Sequence, residues 1–502
     1  MMRTALASLV TGVLLLMPVP ASAAASLPAT AGPSATALIA GTADPLATAL
    51  DRVLADGRLS GATVAVDVRD TAGTVLYQRD AGRRVLPASN QKLLTAAAAL
   101  EVLGPGYRFR TTVRARGGDL HLQGTGDPTM TYARYDRLAA AVARGATRRF
   151  PGRLIADDTW FDRVPLGLDW SWEDEPYGYS APVSALTFAA NDRFDAAAVE
   201  LRYRGVAGGR PVLTVWPPGA GVRLLDRTVT GATDTVTAVR AHGTGTIVVA
   251  GSVPAGRQGA ALVSVPDPAA TAARLFRAAL RRHGVTVSGR TIKGSTPPDA
   301  RVLTAQTSPP LTEILPSFLK LSNNGHAELL VKAMSRASVP TRPGSWPTGL
   351  TAAVTALRRL GVDTRLLTMG DGSGLSRRNW LTARQVTTLL LAARRRPWFP
   401  AFHAALPLAG DPDPMIGGTL RNRLRGTAAA GNLRAKTGTL TGVDALSGYL
   451  TDAGGRRLVF AAVVNGSPAP ATAVLDGLAV ALAQSGTRAV TTRARWVQPR
   501  VS

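Results

Sequence analysis

The stretch Pro-Ala-Ser-Asn-Gln-Lys-Leu-Leu-Thr, at residues 87–95, decides how this chain is interpreted. Ser89 and Lys92 lie three residues apart at the start of an Ala/Leu run that predicts a helix, so both side chains are expected on one helix face. A serine becomes a strong nucleophile only when a neighbouring base takes its proton. Lysine can be that base if burial or a nearby cation lowers its pKa. The stretch therefore indicates a nucleophile and its base, provided that other residues supply a proton relay and an oxyanion site.

The scarcity of lysine strengthens this interpretation, because a Ser-x-x-Lys match alone has only two defined positions. Of the 58 basic residues only five are lysines, namely Lys92, Lys293, Lys320, Lys332 and Lys436. Arginine, which serves wherever a positive charge is enough, cannot lose its proton in a protein. A lysine in this chain is therefore favoured as an ammonium group that can deprotonate.

The composition excludes several classes of protein. A chain of 502 residues has room for two or three domains and a large core. It has no cysteines, and its five scattered histidines lack metal-ligand spacing, so we expect neither a metal nor a cofactor. The net charge of +25 is dispersed, without a nucleic-acid reader motif, so nucleic acid is not expected as a partner. The charge favours contact with anionic wall polymers or a membrane surface, or else a basic surface without a specific partner.

The N-terminal residues predict export. A positive residue, an apolar run too short to span a bilayer and a small-x-small site identify residues 1–23 as a signal peptide, with an uncleaved anchor as the alternative. Residues 24–43 are predicted to be a flexible leader, and residues 486–502 a basic tail. We therefore expect an extracytoplasmic protein, in the periplasm, in the cell wall or secreted.

The pattern along the chain predicts one domain interrupted by an insertion. Residues 44–107 and 305–485 would form an α/β (α+β) domain in which an N-terminal hairpin and two C-terminal strands share an antiparallel sheet flanked by helices. Residues 108–304 would form an inserted β-rich module. Helices are predicted over 45–56, 132–144, 268–282, 311–321, 325–335, 347–360, 382–395 and 471–484, in addition to the one that follows Ser89. Strands are predicted over 62–69, 75–77, 109–115, 119–123, 198–203, 212–216, 222–229, 235–241, 246–253, 443–451 and 456–465.

Two further motifs carry candidate site residues. Ser322 and Asn324 lie between two predicted helices; Ser322 could relay a proton, and Asn324 could hold a substrate amide and orient Lys92, although Ser-Asn-Asn alone is typical of a helix cap. The Lys-Thr-Gly triplet at 436–438 precedes the C-terminal strand pair, which places it on an edge strand facing a cleft. Lys436 would attract a substrate carboxylate, and its charge would lower the pKa of Lys92.

The order Ser-x-x-Lys, Ser-x-Asn and Lys-Thr-Gly is the signature of the penicillin-recognising serine acyltransferases. The long stretch between Ser89 and Ser322 narrows the match. The chain resembles the D-alanyl-D-alanine carboxypeptidase/endopeptidase family, among the low-molecular-mass class C penicillin-binding proteins, which has a large insertion at that place. The segments 124–128, 179–186 and 371–377 also match, and the resemblance covers about residues 45–485. It implies a penicillin-binding/β-lactamase-like transpeptidase fold.

The resemblance also implies a mechanism. Ser89 would attack the D-Ala-D-Ala carbonyl of a peptidoglycan stem peptide, or a β-lactam carbonyl, while Lys92 accepts its proton. Ser322 would pass the proton towards the leaving nitrogen with help from Lys436. The backbone N–H groups of Ser89 and Thr439 would form the oxyanion hole, and water would release the acyl group.

The implied substrate-binding residues fall into two groups. Thr437, Gly438 and Thr439 would hold the terminal carboxylate side of the substrate. A second pocket would recognise the end of a diaminopimelate side chain, with its ammonium on Asp174 and its other walls formed by Tyr179, Arg377 and Leu440. The alternatives are a low-turnover wall-binding or β-lactam-sensing protein, and an esterase or β-lactamase.

Overall fold

The structure is a computed structural model that describes residues 44–486. The predicted signal peptide, the predicted leader and all but the first residue of the predicted tail lie outside the described residues. Within residues 44–486, helices α1 to α10 are Pro45–Leu54, Gln91–Val102, Tyr132–Ala143, Pro268–Arg282, Leu311–Leu319, Asn324–Ser338, Trp346–Arg359, Ala383–Ala393, Phe399–Ala404 and Thr472–Gln484. Strands β1 to β18 are Thr63–Asp70, Val75–Arg79, Arg110–Arg116, Asp119–Gly124, Arg149–Phe150, Leu154–Asp157, Ala198–Arg204, Val212–Trp216, Arg223–Thr230, Thr237–Arg240, Thr246–Val253, Gln258–Ser264, Thr286–Val287, Thr291–Lys293, Arg301–Thr307, Arg434–Leu440, Val443–Thr451 and Arg457–Asn465.

A five-stranded sheet unites the two ends of the described chain. Its order is β16-β17-β18-β1-β2, and all its neighbours are antiparallel. The N-terminal hairpin thus pairs with the C-terminal strands along its whole length, from Thr63 opposite Asn465 to Asp70 opposite Leu458. This confirms the predicted sheet, and it leaves β16, with its Lys-Thr-Gly triplet, at one edge.

Helices cover both faces of this sheet, as predicted. On one face, alternate residues of β1 such as Val64 and Val66 pack with α1 and α10. On the other face, Ala65 and Val463 pack with α2, α6 and α8. Because both faces are covered, β17 and β18 are nearly continuous buried runs rather than alternating ones. No helix between residues 44 and 486 is both long and apolar enough to cross a membrane.

The inserted region is a mixed layer of sheets around α3 and α4. Its largest sheet has the order β14-β6-β4-β3-β15, and two three-stranded sheets have the orders β10-β11-β9 and β12-β7-β8. Helices α3 and α4 pack on a separate apolar core that includes Tyr135 and Phe276. Strand β15 runs across the predicted boundary between residues 304 and 305, so the sheet of the insertion continues to Thr307.

Several elements were not predicted. They are β5, β6, β12, β13, β14, β15 and α9. Helix α4 was expected to close the insertion, but three of these strands follow it. Strands of two to four residues, such as Arg149–Phe150, carry too little periodicity to be detected. The pairings of β5 with β13 and of β6 with β14 join residues more than a hundred positions apart, as with Arg149 and Thr286, so only the tertiary structure defines them.

Candidate active site

Ser89 lies in a single turn of 3-10 helix, Ala88–Asn90, that leads directly into α2. Ala88, just before it, has a φ of +46°, a left-handed conformation that is strained for a residue with a side chain. The neighbouring loop at Gly374 approaches so closely that a Cβ there would lie 1.9 Å from the carbonyl oxygen of Ala88. The hydroxyl of Ser89 is therefore held on a rigid, strained turn at the start of a buried helix.

Lys92 is completely buried one turn further along α2. Its Nζ donates to Ser89 Oγ at 2.8 Å, to Asn324 Oδ1 at 2.6 Å and to the carbonyl oxygen of Ser373 at 2.8 Å. These three acceptors use all three hydrogens of an ammonium group. The first two motifs therefore meet as predicted, and the third acceptor comes from a loop to which the sequence assigned no such role.

Burial lowers the pKa of Lys92 to about 7, against the opposing effect of Asp371 and Glu328. Of the two causes considered from the sequence, burial lowers this pKa, whereas the expected effect of the charge of Lys436 is not among its causes. The charge of Lys92 instead affects Lys436: burial, and then this charge, lower the pKa of Lys436 well below its ordinary value. An enclosed lysine with a pKa near neutrality can exchange a proton with Ser89 at physiological pH.

A second hydroxyl–amine pair lies beside the first. Ser322, between α5 and α6, has a φ of +59°, and its Oγ accepts from Lys436 Nζ at 2.8 Å. Lys436 is fully buried and also donates to the carbonyl oxygen of Thr437 at 2.8 Å. Ser322 therefore bonds to Lys436 rather than to Lys92, while Ser89 and Ser322 line the same cleft.

Strand β16 packs directly against the turn that carries Ser89. A Cβ added at Gly438 would lie 2.8 Å from the carbonyl oxygen of Pro87 and 3.1 Å from the backbone nitrogen of Ser89. Thr439, the next residue, is exposed and lines the cleft. Thr437 is buried instead, and its hydroxyl donates to Thr419 Oγ1 at 2.8 Å. The absence of a side chain at 438 thus allows the edge strand to approach Ser89.

The loop that accepts from Lys92 is held by two buried carboxylates that the sequence analysis missed. Glu328 accepts the backbone N–H groups of Gly372 and Ser373, at 2.9 and 2.8 Å, and the indole N–H of Trp346 at 2.7 Å. Asp371 accepts the backbone N–H groups of Gly374 and Ser376, at 2.8 and 2.7 Å, and the indole N–H of Trp170 at 2.9 Å. Burial and the neighbouring Asp371 raise the pKa of Glu328.

A signal for Glu328 was present in the sequence. Asn324, Glu328 and Lys332 recur every four residues along α6, so they form one polar stripe on a largely buried helix. Polar side chains buried in this way need hydrogen-bonding or charged partners. Lys332 contacts Asp162 through an ion pair of 2.6 Å, and its Nζ lies 3.9 Å from the centre of the Trp346 ring.

The four residues assigned to the side-chain pocket all line the cleft of Ser89, which has a volume of about 660 Å³. The hydroxyl of Tyr179 donates to Asp174 Oδ1 at 2.7 Å, and Arg377 donates to the carbonyl oxygen of Thr441 at 3.1 and 3.2 Å. Burial and the contact with Asp174 raise the pKa of Tyr179, so this phenol stays protonated. Leu440 supplies an apolar wall.

The charge of this end of the cleft is mainly negative. Asp169, Glu173 and Asp174 line it, against the single guanidinium of Arg377. A surface of this kind favours a substrate group that carries an ammonium next to a carboxylate. Between residues 44 and 486 no cluster of three or more His, Asp or Glu side chains is arranged to hold a metal ion.

The loop with Asp174 and Tyr179 is anchored to the inserted region through Glu175. The buried Arg240, at the end of β10, pairs with Glu175 Oε1 at 2.6 Å and with its carbonyl oxygen at 3.2 Å. His242 contacts the other carboxylate oxygen. The insertion therefore positions one wall of the cleft.

Comparison with known proteins gives a consistent result. The model of the D-Ala-D-Ala carboxypeptidase 3 (S13) family matches residues 46–485. A D-alanyl-D-alanine carboxypeptidase of Actinomadura sp. (strain R39) is 48% identical over 452 residues, which are 86% of this chain and 84% of that protein. The fold is similar to that of penicillin binding protein 4 from Haemophilus influenzae, with a TM-score of 0.73 and 23% identity over 86% of this chain and 97% of that one. A second structure of that protein, complexed with a β-lactam, has a TM-score of 0.67 and 22% identity over the same shares.

Proposed function

Since this chain belongs to the D-Ala-D-Ala carboxypeptidase 3 (S13) family and is a serine-type carboxypeptidase, we propose that it cleaves peptidoglycan peptides through an acyl intermediate on Ser89. The observation that carries the proposal is the contact of 2.8 Å between Lys92 Nζ and Ser89 Oγ, together with the pKa of about 7 for this lysine. With this pKa, about half of the molecules carry Lys92 in its neutral, basic form at pH 7.

In the proposed acylation step, the bond between Ser89 Oγ and the carbonyl carbon of the penultimate D-Ala forms while Lys92 takes the hydroxyl proton. Collapse of the tetrahedral intermediate breaks the C–N bond to the terminal D-Ala. The leaving nitrogen needs a proton, which Ser322 delivers and Lys436 replaces through their contact of 2.8 Å. Water then attacks the ester carbonyl, the bond to Ser89 Oγ breaks, and Ser89 regains a proton from the water as the shortened peptide leaves. Transfer of the proton held by Lys92 to Lys436 restores both amines.

The oxyanion that develops in this step is assigned to the backbone N–H groups of Ser89 and Thr439. The close packing of β16 at Gly438, which would place a Cβ 3.1 Å from the nitrogen of Ser89, supports this assignment. Two preorganised donors of this kind typically contribute a large share of the rate of acyl transfer.

The acidic end of the cleft suggests which substrate it selects. A stem peptide with a diaminopimelate side chain ends in an ammonium and a carboxylate, which would meet Asp174 and Arg377 respectively. The same pocket would accept cross-bridged peptides when the leaving group is the side chain of a neighbouring stem, so endopeptidase activity is part of the proposal.

Two further properties belong to the proposal. Because the Haemophilus influenzae relative has been solved with a β-lactam, we infer that β-lactams acylate Ser89 here as well. Export is inferred from the signal peptide predicted over residues 1–23, and from the position of peptidoglycan outside the cytoplasm. Anionic wall polymers are inferred partners of the basic surface.

Mass spectrometry after incubation with penicillin tests the nucleophile, and product analysis on a stem pentapeptide tests turnover. We expect one acyl adduct, on Ser89, and release of D-Ala. Ser89→Ala should lose both, whereas Ser171→Ala, which changes another serine of the same cleft, should keep both. An adduct on Ser171, or labelling of Ser89→Ala, would refute the assignment. A stable acyl-enzyme with the natural peptide, without product, would favour the sensing protein.

A further inference from the structure

A second cavity, of about 220 Å³, lies at the end of the central sheet away from Thr439. Its walls come from the β1–β2 turn, the adjoining ends of β17 and β18, the start of β16, the end of α8, and α9. Arg434, the first residue of β16, lies five residues before Thr439, which corresponds to roughly 17 Å along an extended strand. The cavity is therefore separate from the catalytic cleft, although one strand lines both.

The lining of this cavity is strongly basic. Arg394, Arg434, Arg457 and His403 contribute to it, and no residue of its lining is Asp or Glu. Within residues 44–486 none of these three arginines forms an ion pair, and their side chains make a single hydrogen bond, from Arg394 to the carbonyl oxygen of Thr71 at 3.4 Å. Three cationic side chains thus converge on one concave site without a compensating charge from the described chain.

The neighbouring residues show that this chain does pair arginines where a carboxylate is available. Arg396, two residues after Arg394, forms a two-pronged ion pair with Glu101 at 2.7 and 2.9 Å. Arg423 pairs with Asp476 at 2.7 Å. Other described arginines also lack an ion pair, so the distinguishing feature of the cavity is that three such arginines line one concave site.

The effect of this charge on its neighbours is consistent with an uncompensated positive field. Partial burial and then the charge of Arg457 lower the pKa of Arg394. Burial, and then Arg434, Arg394 and Lys320, lower the pKa of His403 to about 4, so its imidazole is neutral and offers one N–H group. An anion in the cavity would relieve this repulsion.

The geometry points to a ligand with several acceptor oxygens, and we propose that this cavity is a binding site for a phosphate group, either free or borne by an anionic polymer. Guanidinium groups match the oxygens of phosphate in pairs, and three of them with an imidazole N–H can surround one tetrahedral anion. The frame is rigid: Asn432 bonds both backbone groups of Thr451, at 2.7 and 2.9 Å, and the hydroxyl of Tyr449 donates to the carbonyl oxygen of Leu390 at 2.8 Å.

Titration of the full chain with inorganic phosphate, at constant ionic strength maintained with chloride, tests the site by isothermal calorimetry. We expect saturable binding with one phosphate per chain. Arg394→Gln and Arg457→Gln should each weaken it by about tenfold or more, since each removes a charge-assisted hydrogen bond. Arg365→Gln, which changes an arginine that is 88% exposed and paired with Asp363, is the control of equal charge and should bind phosphate as the parent does.

Absence of saturable binding, or equal affinity of the Arg394→Gln and Arg457→Gln variants, would overturn the proposal. Acetate that binds as tightly as phosphate would also overturn it, because the site would then be a general carboxylate site. Competition between phosphate and a glycerol phosphate oligomer distinguishes the two sources: displacement assigns the site to a polymer, and its absence to free phosphate. Both outcomes retain the phosphate site, and neither depends on acylation of Ser89.

Discussion

The pKa of Lys92 gives a quantitative prediction for acylation. With a pKa of about 7, about half of the molecules carry a neutral Lys92 at pH 7, whereas the ordinary value of 10.5 would leave only about 3 in 10,000 neutral. If the neutral amine is the base, the second-order rate constant for acylation by penicillin should rise about tenfold between pH 6 and pH 8 and then level off.

Stopped-flow measurement of acylation with a fluorescent penicillin, from pH 5 to pH 9.5, follows this rise. Lys92→Arg should acylate at a residual rate without the rise near pH 7, because arginine does not lose its proton in this range. Lys293→Met, at a half-exposed lysine outside the cleft, should keep the parent profile. A midpoint above pH 9, a flat profile, or full activity of Lys92→Arg would refute the role of Lys92 as base.

The same pKa predicts a dependence of stability on pH. Because folding lowers the pKa of Lys92, the unfolded chain binds more protons between pH 7 and pH 10.5, and the free energy of unfolding rises with pH across this window. The destabilisation is fully present below pH 7, where it is on the order of 5 kcal/mol. After subtraction of three hydrogen bonds of about 1 kcal/mol each, Lys92→Met should be about 2 kcal/mol more stable than the parent at pH 6. Denaturant unfolding should show this difference disappearing between about pH 8 and pH 9 and reversing, to about 2 kcal/mol in favour of the parent, as the pH approaches 10.

Three further changes test the surroundings of the site. Gly438→Ala should slow penicillin acylation by about 100-fold while the fold stays intact, because the new Cβ would press on Pro87 and shift the nucleophile; an unchanged acylation rate would contradict this. Arg240→Met should lower the free energy of unfolding by about 3 kcal/mol, because Glu175 loses its buried partner. The same change should reduce kcat/KM for a diaminopimelate peptide by a larger factor than it reduces the rate constant for acylation by penicillin. Glu328→Gln should lower the free energy of unfolding at pH 8 by about 2 kcal/mol, because one of two backbone N–H groups loses its carboxylate acceptor; equal stability in urea would count against this role.

The sequence was sufficient for much of the fold because its longest elements carry a clear period. Helix α4 and strand β17 were predicted with the bounds that the structure has, and the strand pair after the Lys-Thr-Gly triplet placed it on an edge strand. The short strands of the insertion were not predictable in the same way. Strands β5 and β6 pair with β13 and β14, whose sequences lie far along the chain, so local patterns do not reveal them.

The candidate site likewise has features that the sequence predicted and features that it did not. Its five principal side chains were identified from three motifs. In the structure Lys92 bonds to Ser89 and to the amide oxygen of Asn324, and Lys436 bonds to Ser322. Their chemical roles stay predictions that the experiments above test. The residues that hold the loop at 371–374 in place were not identified. Glu328 and Asp371 bind the backbone of this loop, and a sequence motif does not show that its Ser373 carbonyl oxygen accepts from Lys92.

The residues Ser89 and Lys92 thus began as a weak local pattern, and the sequence by itself determined which side chains could take part, on which elements, and in which family of enzymes. Only the tertiary structure decided why the pKa of Lys92 is low enough for its proposed role as a base. Its pKa is lowered mainly by burial, and burial depends on how α2 packs against α6, the loop at 371–374 and the sheet. Desolvation is a property of everything that surrounds a charge, so it arises only when distant segments have come together.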